Sequence, residues 1–478
     1  MARDTWYRLD NVGKFYSSQA GSSAQTVFRY SAALVDDVDE AVLQHALEKT
    51  VKAFPEFNVS LRSGMFWHYL EQAASVPLVS AESLPICFGL HVDAKSVLIR
   101  VSYYRDRINF EVSHIVSDGR GSLNFFRTLL YAYLQERYGI EGSLPSYDGS
   151  DNQKSENSFD KYYERDKAAP TYAPKVYRLS GWRDGADPTY MEYHLPAKKV
   201  LDLARSWNVS MTSLMIAAIM CAIRAEMPRR DRHRTIRIGI PVDLRQIFGS
   251  TTTKNFFGLA FASYVPEGDE SVRDVALQVN DQLKVVTEAE SLKPRMNRMI
   301  ALEKSPLLRV APLFVKDLAL EFGDWMASRG TTTTVSNLGK IDVDERLAPY
   351  IRNLNILTST TGINLTLCSF GGDLSIGIST VFASNDIIKN FCRYFSSVGI
   401  EGYLNINKTN EEVAADQLEA KIEASVKRLS GQHPEHDAAT EQPDKSQPNN
   451  PQPDNPQSEK SPATSPAKQA EGLSDEAM

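Results

Sequence analysis

Apolar and polar positions alternate along this chain on two different periods. In VDEAVLQHALEKTVKAF, Val38 to Phe54, apolar residues return at helical spacing and Pro55 follows, which predicts an amphipathic helix ended by the proline. The runs SVLIRVSYY and INFEVS instead alternate on period two around Arg105 to Arg107, predicting an antiparallel hairpin from Ser96 to Ser113. HIVSDGRGS comes next, and LNFFRTLLYAYLQERY then returns to helical spacing. The polar segment between them is therefore a strand-to-helix loop.

The second half reuses this vocabulary. TYMEYHL reads as a strand, AKKVLDLARSW and MTSLMIAAIMCAIRAEM as helices, TIRIGIPVDL and the run Phe256 to Val265 as strands, with helices between Ser271 and Met326. TTTTVSNLG and IRNLNILTST follow, then the hairpin GINLTLCSF/GGDLSIGIST turning at Gly371 and Gly372, and the helix NDIIKNFCRYFSSV. Strands and helices mix without a regular βαβ alternation, so an α+β fold is expected in place of a Rossmann or barrel fold.

A chain of 478 residues, 42% hydrophobic and 24% charged, can bury a large core, and two domains or large subdomains are expected. We place an N-terminal lobe at 1–185, a C-terminal lobe at 186–405 and a helical extension at 406–430. From Gly431 on, the only large apolar residues are Leu473 and Met478, while eight of the 23 prolines fall there. Such a segment cannot offset its ordering entropy, so 431–478 is expected to be a disordered tail.

The formal charge of −7 disfavours nucleic acid and anionic lipid as partners. Arg229, Arg230, Arg232 and Arg234 form the one basic cluster, and Asp231 inside it makes a solvated connector the better reading. The four cysteines are far apart with no CxxC pair, which argues against a zinc site or a disulfide framework and favours a reducing compartment. The N-terminus has no apolar signal region, and no run of about 18 apolar residues occurs, so a cytoplasmic protein without a transmembrane segment is expected.

The loop after the hairpin holds the candidate chemistry, an HxxxDG motif at His114, Asp118 and Gly119. A histidine with a pKa near about 6.5 suits a base that takes a proton from an attacking hydroxyl or amine at neutral pH. Asp118 can hold the turn, orient the imidazole and complete a buried ion pair with an arginine, while Gly119 supplies backbone freedom where the chain reverses into the helix. Spacing alone is weak: His433 and Asp437 repeat it in the tail. The setting of His114 distinguishes it, with a hairpin before and a helix within three residues after.

Beyond the motif, the chain opens with WYRLDNVGKFY, has FPEFNVSLRSGMFW after its first long helix, and continues through HIVSDG, IPVDLR, KNFFG and VSNLG. In this order, dispersed over about residues 5 to 400, these segments resemble the chloramphenicol acetyltransferase-like superfamily of CoA- and carrier-dependent acyltransferases, and most closely its alcohol O-acetyltransferase branch. The resemblance implies two similar lobes meeting at a V-shaped cleft with a central tunnel, and His114 at mid-tunnel as general base.

It implies a structural Asp118 paired with Arg62, Arg245 being the next candidate. Asp243 and Arg245 would support the cleft, and Asn255 would line the tunnel or be structural. VSNLG would be the segment crossing between lobes, with Ser336 or Asn337 donating to the oxyanion or simply forming a turn. The implied cosubstrate is acyl-CoA or an acyl carrier phosphopantetheine, with no permanently bound cofactor and no metal. The implied partners are a small-molecule acceptor and in some members an acyl carrier protein.

The chain departs from the pattern twice. Condensation domains carry a second histidine before the motif histidine, where this chain has Ser113, and the DFGWG segment of the plant branch is absent. Neither a GxSxG elbow nor a cysteine in a suitable setting is present, so direct transfer of an acetyl or other acyl group, with no covalent intermediate, is expected. The rival reading is a condensation-like or degenerate module that binds a carrier protein without turnover.

Overall fold

The structure is a computed structural model that describes residues 6–21, 25–145, 147, 150–165, 176–183, 188–304, 311–318, 320 and 330–406. The expected extension after Ile406 and the expected tail at 431–478 lie outside these residues.

The long-period run becomes the helix Glu40–Ala53, N-capped by Asp39, and Pro55 opens a separate 3-10 turn, as its missing N–H requires. The period-two runs become the strands Ile99–Tyr104 and Arg107–Ser113, paired antiparallel around a turn in which Arg105 takes a left-handed φ of 51°. The strands Val27–Leu34 and Arg107–Ser113 occupy the middle of a five-stranded sheet. The helices Glu40–Ala53 and Gly119–Tyr138 pack on this lobe through Leu43, Leu47, Phe125 and Leu129.

A second sheet of seven strands is built from residues 189–406, in the order Phe257–Tyr264, Ile236–Asp243, Thr333–Lys340, Ile363–Phe370, Asp373–Thr380, Thr189–Pro196 and Tyr403–Ile406. Its apolar side packs on Met211–Glu226, Val272–Val286 and Asp386–Ser397. Gly371 and Gly372 both take positive φ at the hairpin turn, a conformation for which glycine has no steric penalty. A small antiparallel sheet joins Trp6–Arg8, His68–Gln72 and Val59–Ser63. The fold is thus α+β with two lobes.

The lobes are not consecutive in the chain. VSNLG stays inside the seven-stranded sheet, where Val335 pairs with Leu365, so it is not the crossing segment. The strand Ile351–Thr358 crosses instead, adding to the edge of the first sheet with Leu354 opposite Ala32 and Ile356 opposite Tyr30. It backs onto the second sheet so closely that a Cβ at Gly377 would lie 2.0 Å from the Ile356 carbonyl oxygen. Among the described residues, no single helix is long and apolar enough to cross a membrane.

Candidate active site

Pairing of Val27 with Ser113 ends the central strand of the first sheet, and the His114 N–H extends it by donating to the Thr26 carbonyl at 2.9 Å. The imidazole therefore emerges at the end of that sheet, where the second lobe meets it. It is 5% exposed, stacked on Tyr16 at 4.1 Å between centroids and flanked by Phe28 and Phe257. His114, expected at mid-tunnel, lines the central cavity and is also a packed, buried side chain.

Its Nδ1 lies 2.8 Å from Asn255 Oδ1. The Asn255 amide nitrogen donates to the His114 carbonyl at 3.1 Å and to Asp10 Oδ2 at 3.0 Å, so the amide oxygen must be the atom facing the ring. An oxygen can only accept there. The neutral ring is thus held with its proton on Nδ1, leaving Nε2 with the lone pair. Asp10 is buried, caps the helix Asn11–Ser18 through Gly13 N–H at 2.6 Å and also accepts from the Asn255 N–H at 3.2 Å. Burial pushes the Asp10 carboxyl up to about 6, against its hydrogen bonds and the nearby Lys254 ammonium.

Burial likewise lowers His114 to about 4, opposed by the Asp118 carboxylate and the Asn255 hydrogen bond. At neutral pH the ring is a free base.

Asp118 sits behind the motif. Its Oδ1 accepts from the N–H groups of Arg120 and Gly121 at 3.1 and 2.9 Å, capping the helix Gly119–Tyr138, and its Oδ2 accepts from Phe256 N–H at 2.7 Å. The charge partner is Arg245, 3.0 Å away, which also pairs with Asp243 at 3.0 Å and donates to the carbonyls of Thr252 and Lys254. The expected pairing with Arg62 is not made. Arg62 lies on the small sheet, bonded to Glu71 at 2.5 Å and to the Ala94 carbonyl. Arg245, paired with both Asp243 and Asp118, thus holds the motif turn from the other lobe.

Of the two alternatives for Asn255 the geometry selects the structural one, since it is not among the cavity-lining residues but stands behind His114, while the expectation for Gly119 changes. Gly119 has no left-handed backbone, and a Cβ there would meet only the end of the flexible Leu338 side chain at 3.2 Å. The steric demand falls on Gly121, where a Cβ would lie 2.0 Å from the Thr253 carbonyl oxygen. Gly121→Ala is expected to push the Thr252 to Asn255 segment off the motif loop. It should lower the thermal unfolding midpoint by several degrees, whereas Gly119→Ala should be much milder.

The cavity encloses about 1590 Å³ and is lined from both lobes, by Phe15, Tyr16 and Phe28 on one side and by Phe257, Phe261 and Met296 on the other. Ser336 and Asn337 also line it. Asn337 is already committed, donating to Thr212 Oγ1 and accepting from Gly339 N–H, both at 2.8 Å. The Ser336 hydroxyl makes no hydrogen bond among the described residues, so of the two it is the available donor.

Cys87 reaches the cavity, but burial raises its thiol far above the usual range, the reverse of what a thiolate nucleophile requires. Among the described residues, no group of three or more His, Cys, Asp and Glu side chains is arranged to hold a metal ion. Sequence reasoning missed Asp10, Tyr16 and Phe28. Asp10 and Tyr16 lie inside the opening segment WYRLDNVGKFY, where an aspartate before a short helical run is a readable N-cap signal.

Comparison with known proteins agrees with this architecture. Residues 196–342 match the family described as phthiocerol/phthiodiolone dimycocerosyl transferase C-terminus. No curated protein matches the chain. Among solved structures, polyketide synthase associated protein 5 from Mycobacterium tuberculosis is similar at 14% identity and a TM-score of 0.54, over 82% of this chain and 98% of that one. The first condensation domain of the calcium-dependent antibiotic synthetase is similar at 17% identity and a TM-score of 0.57, over 82% and 96%. F. sporotrichioides TRI101, complexed with coenzyme A and T-2, is similar at 11% identity and a TM-score of 0.55, over 83% and 99%. The two lobes, joined by an exchanged strand around a central cavity, share the two-lobed fold of these condensation-domain and chloramphenicol acetyltransferase-like structures.

Proposed function

We propose that this protein is an acyltransferase that moves an acyl group from a pantetheine thioester to a hydroxyl or amine, with His114 Nε2 as the base. The observation that carries this reading is the Asn255 clamp. It leaves a lone-pair nitrogen, neutral at pH 7, in a cavity with room for both a thioester arm and an acceptor. The match at residues 196–342 to an acyl-transferring family supports it.

The acceptor O–H or N–H gives its proton to Nε2 as its heavy atom attacks the thioester carbonyl. The resulting oxyanion takes a hydrogen bond from Ser336, the C–S bond breaks, and the thiolate leaves with the proton from Nε2. The Asp118 carboxylate favours the transient imidazolium without touching it. Acetyl as the acyl group and an alcohol as the acceptor are the specific form we propose. CoA is the proposed donor.

The test is to follow thiol release with acetyl-CoA, longer acyl-CoAs and an acylated carrier domain, each against a panel of alcohols and amines. No acceptor-dependent release from any donor would leave a binding module without turnover as the function. The pH dependence gives a second check. The charged groups acting on the ring are Asp118 through space and Asp10 through Asn255, with Lys254 behind Asp10. Because the base form is required and His114 is lowered to about 4, the loss of kcat/KM that comes from His114 itself should appear only below about pH 5. Depression of this pKa also means that the unfolded chain binds the proton first. Stability from the buried neutral ring is complete above about pH 6.5 and is lost as pH falls toward 4, so folding must be monitored in parallel. Asp10 titrates near 6 behind the Asn255 clamp, so a profile that falls with an apparent pKa between 6 and 7 in Asp10→Asn as well as in the native chain would contradict the buried setting.

A further inference from the structure

Two segments at the rim of the cavity carry their side chains inside out. In the short helix over 313–318, Lys316 is 1% exposed, whereas Phe314 and Leu318 are 73% and 68% exposed, with Val315 exposed beside them. The turn between Val59–Ser63 and His68–Gln72 does the same, with Met65 76% exposed and Phe66 exposed next to it. Helices of soluble proteins place the apolar stripe inward and the charges outward. Here the lysine is inside.

The two segments are fastened together. Lys316 Nζ donates to the Phe66 carbonyl at 2.9 Å and lies 3.8 Å from the centre of the Trp67 ring, while His68 Nε2 is 3.4 Å from Asp317 Oδ2. Lys316 and Trp67 both line the cavity, so this fastening forms part of its wall. Phe88 and Val92 also line the cavity and are themselves exposed, and His91 between them feels the charge of His68. Exposed apolar side chains from both lobes therefore stand beside this part of the cavity wall. Patches of this kind on a soluble protein mark a surface that something covers.

We infer that this rim docks on a lipid surface, from which an amphiphilic substrate passes into the cavity without crossing water. The cavity behind the rim has an apolar wall of Phe15, Tyr16, Phe28, Phe257, Phe261 and Met296 beside charged side chains such as Arg120, Arg295 and Arg298, so an amphiphile with an apolar chain and a polar head fits it. A folded partner seated on the rim would cover this part of the wall, whereas a lipid surface supplies amphiphiles directly to it. Aromatic and cationic side chains are paired beside the apolar ones, Lys14 over Trp67 at 4.9 Å and Arg8 over Trp6 at 5.9 Å, the latter pair on the same small sheet. Tryptophan with basic residues next to exposed apolar side chains is the arrangement that rests at a lipid–water boundary. The formal charge of −7 makes insertion of apolar side chains the driving force, so zwitterionic lipid suffices. Delivery of substrate rests on the acyl-transfer reading, but docking does not.

The full chain is sedimented with phosphatidylcholine vesicles alongside the variant Met65→Ser/Phe314→Ser/Leu318→Ser. None of these three side chains lines the cavity. The native chain should pellet with the vesicles and the variant should need at least tenfold more lipid, with an unchanged unfolding midpoint and unchanged turnover of a water-soluble acyl thioester. A single Phe314→Lys should weaken docking in the same direction. His114→Ala should dock like the native chain, so a failure of the catalytic reading leaves docking intact and measurable. Native protein that stays in the supernatant, or a triple variant that pellets equally well, would overturn the inference.

Discussion

Replacing His114 by alanine should lower turnover by about 10² to 10⁴-fold, the range that a positioned general base contributes. Residual turnover would come from binding and orientation in the cavity and from Ser336 at the oxyanion. The variant should not be silent in stability. It removes a ring stacked on Tyr16 and leaves Asn255 Oδ1 buried without its donor, a loss of about 1–3 kcal/mol by the cost of an unsatisfied buried acceptor. Asn255→Ala separates the two effects, because it keeps the imidazole but releases the proton from Nδ1. Turnover should fall with thioester KM nearly unchanged. Native turnover in His114→Ala would remove the histidine from the chemistry, and native turnover in Asn255→Ala would remove the clamp.

Asp118→Ala and Arg245→Ala should each destabilise the fold by about 3–5 kcal/mol, as expected when one member of a buried ion pair is removed. Both side chains are almost fully enclosed. Losing the aspartate also strands the N–H groups of Arg120, Gly121 and Phe256, and losing the arginine strands the carbonyls of Thr252 and Lys254. The double variant should lose clearly less than the sum of the singles, because the second removal no longer isolates a charge. Arg62→Ala, whose pair with Glu71 is about a third exposed, should change stability by only about 0–1 kcal/mol. Denaturant unfolding of the four variants measures all of this. Strict additivity for Asp118 and Arg245 would mean that the pair is not the brace between the lobes. A large loss from Arg62→Ala would restore the first-lobe partner that the geometry rejects.

Local periodicity was enough to read the helix Glu40–Ala53, the hairpin ending at Ser113, the helix Gly119–Tyr138 and the hairpin at Gly371 and Gly372, because each depends on neighbours within one turn or one pleat. The place of His114 on a strand-to-helix loop follows from the same signals. One misreading had a local remedy: Arg62 and Glu71 flank a short hairpin in which Ser60 faces Glu71 and Arg62 faces Tyr69. The two charges are thus diagonal neighbours on one face, a cross-strand pair visible in the alternation.

The remaining partnerships belong to tertiary structure alone. Asn255 meets Asp10 across 245 positions and His114 across 141, and Arg245 meets Asp118 across 127. Alternation in Ile351–Thr358 shows which side chains share a face, but nothing in it says that this strand leaves the second lobe to pair with Val27–Leu34. The inverted helix over 313–318 is similar, since its pattern alone would turn Lys316 outward and only the waiting Phe66 carbonyl and Trp67 ring draw it in. The sequence by itself determined the elements and the chemical type of the proposed base, because these depend on local sterics and on side-chain identity. The tautomer of the His114 ring, the brace behind it and the surface around its cavity were decided only when distant segments packed, because each depends on polar atoms that find partners in no other way.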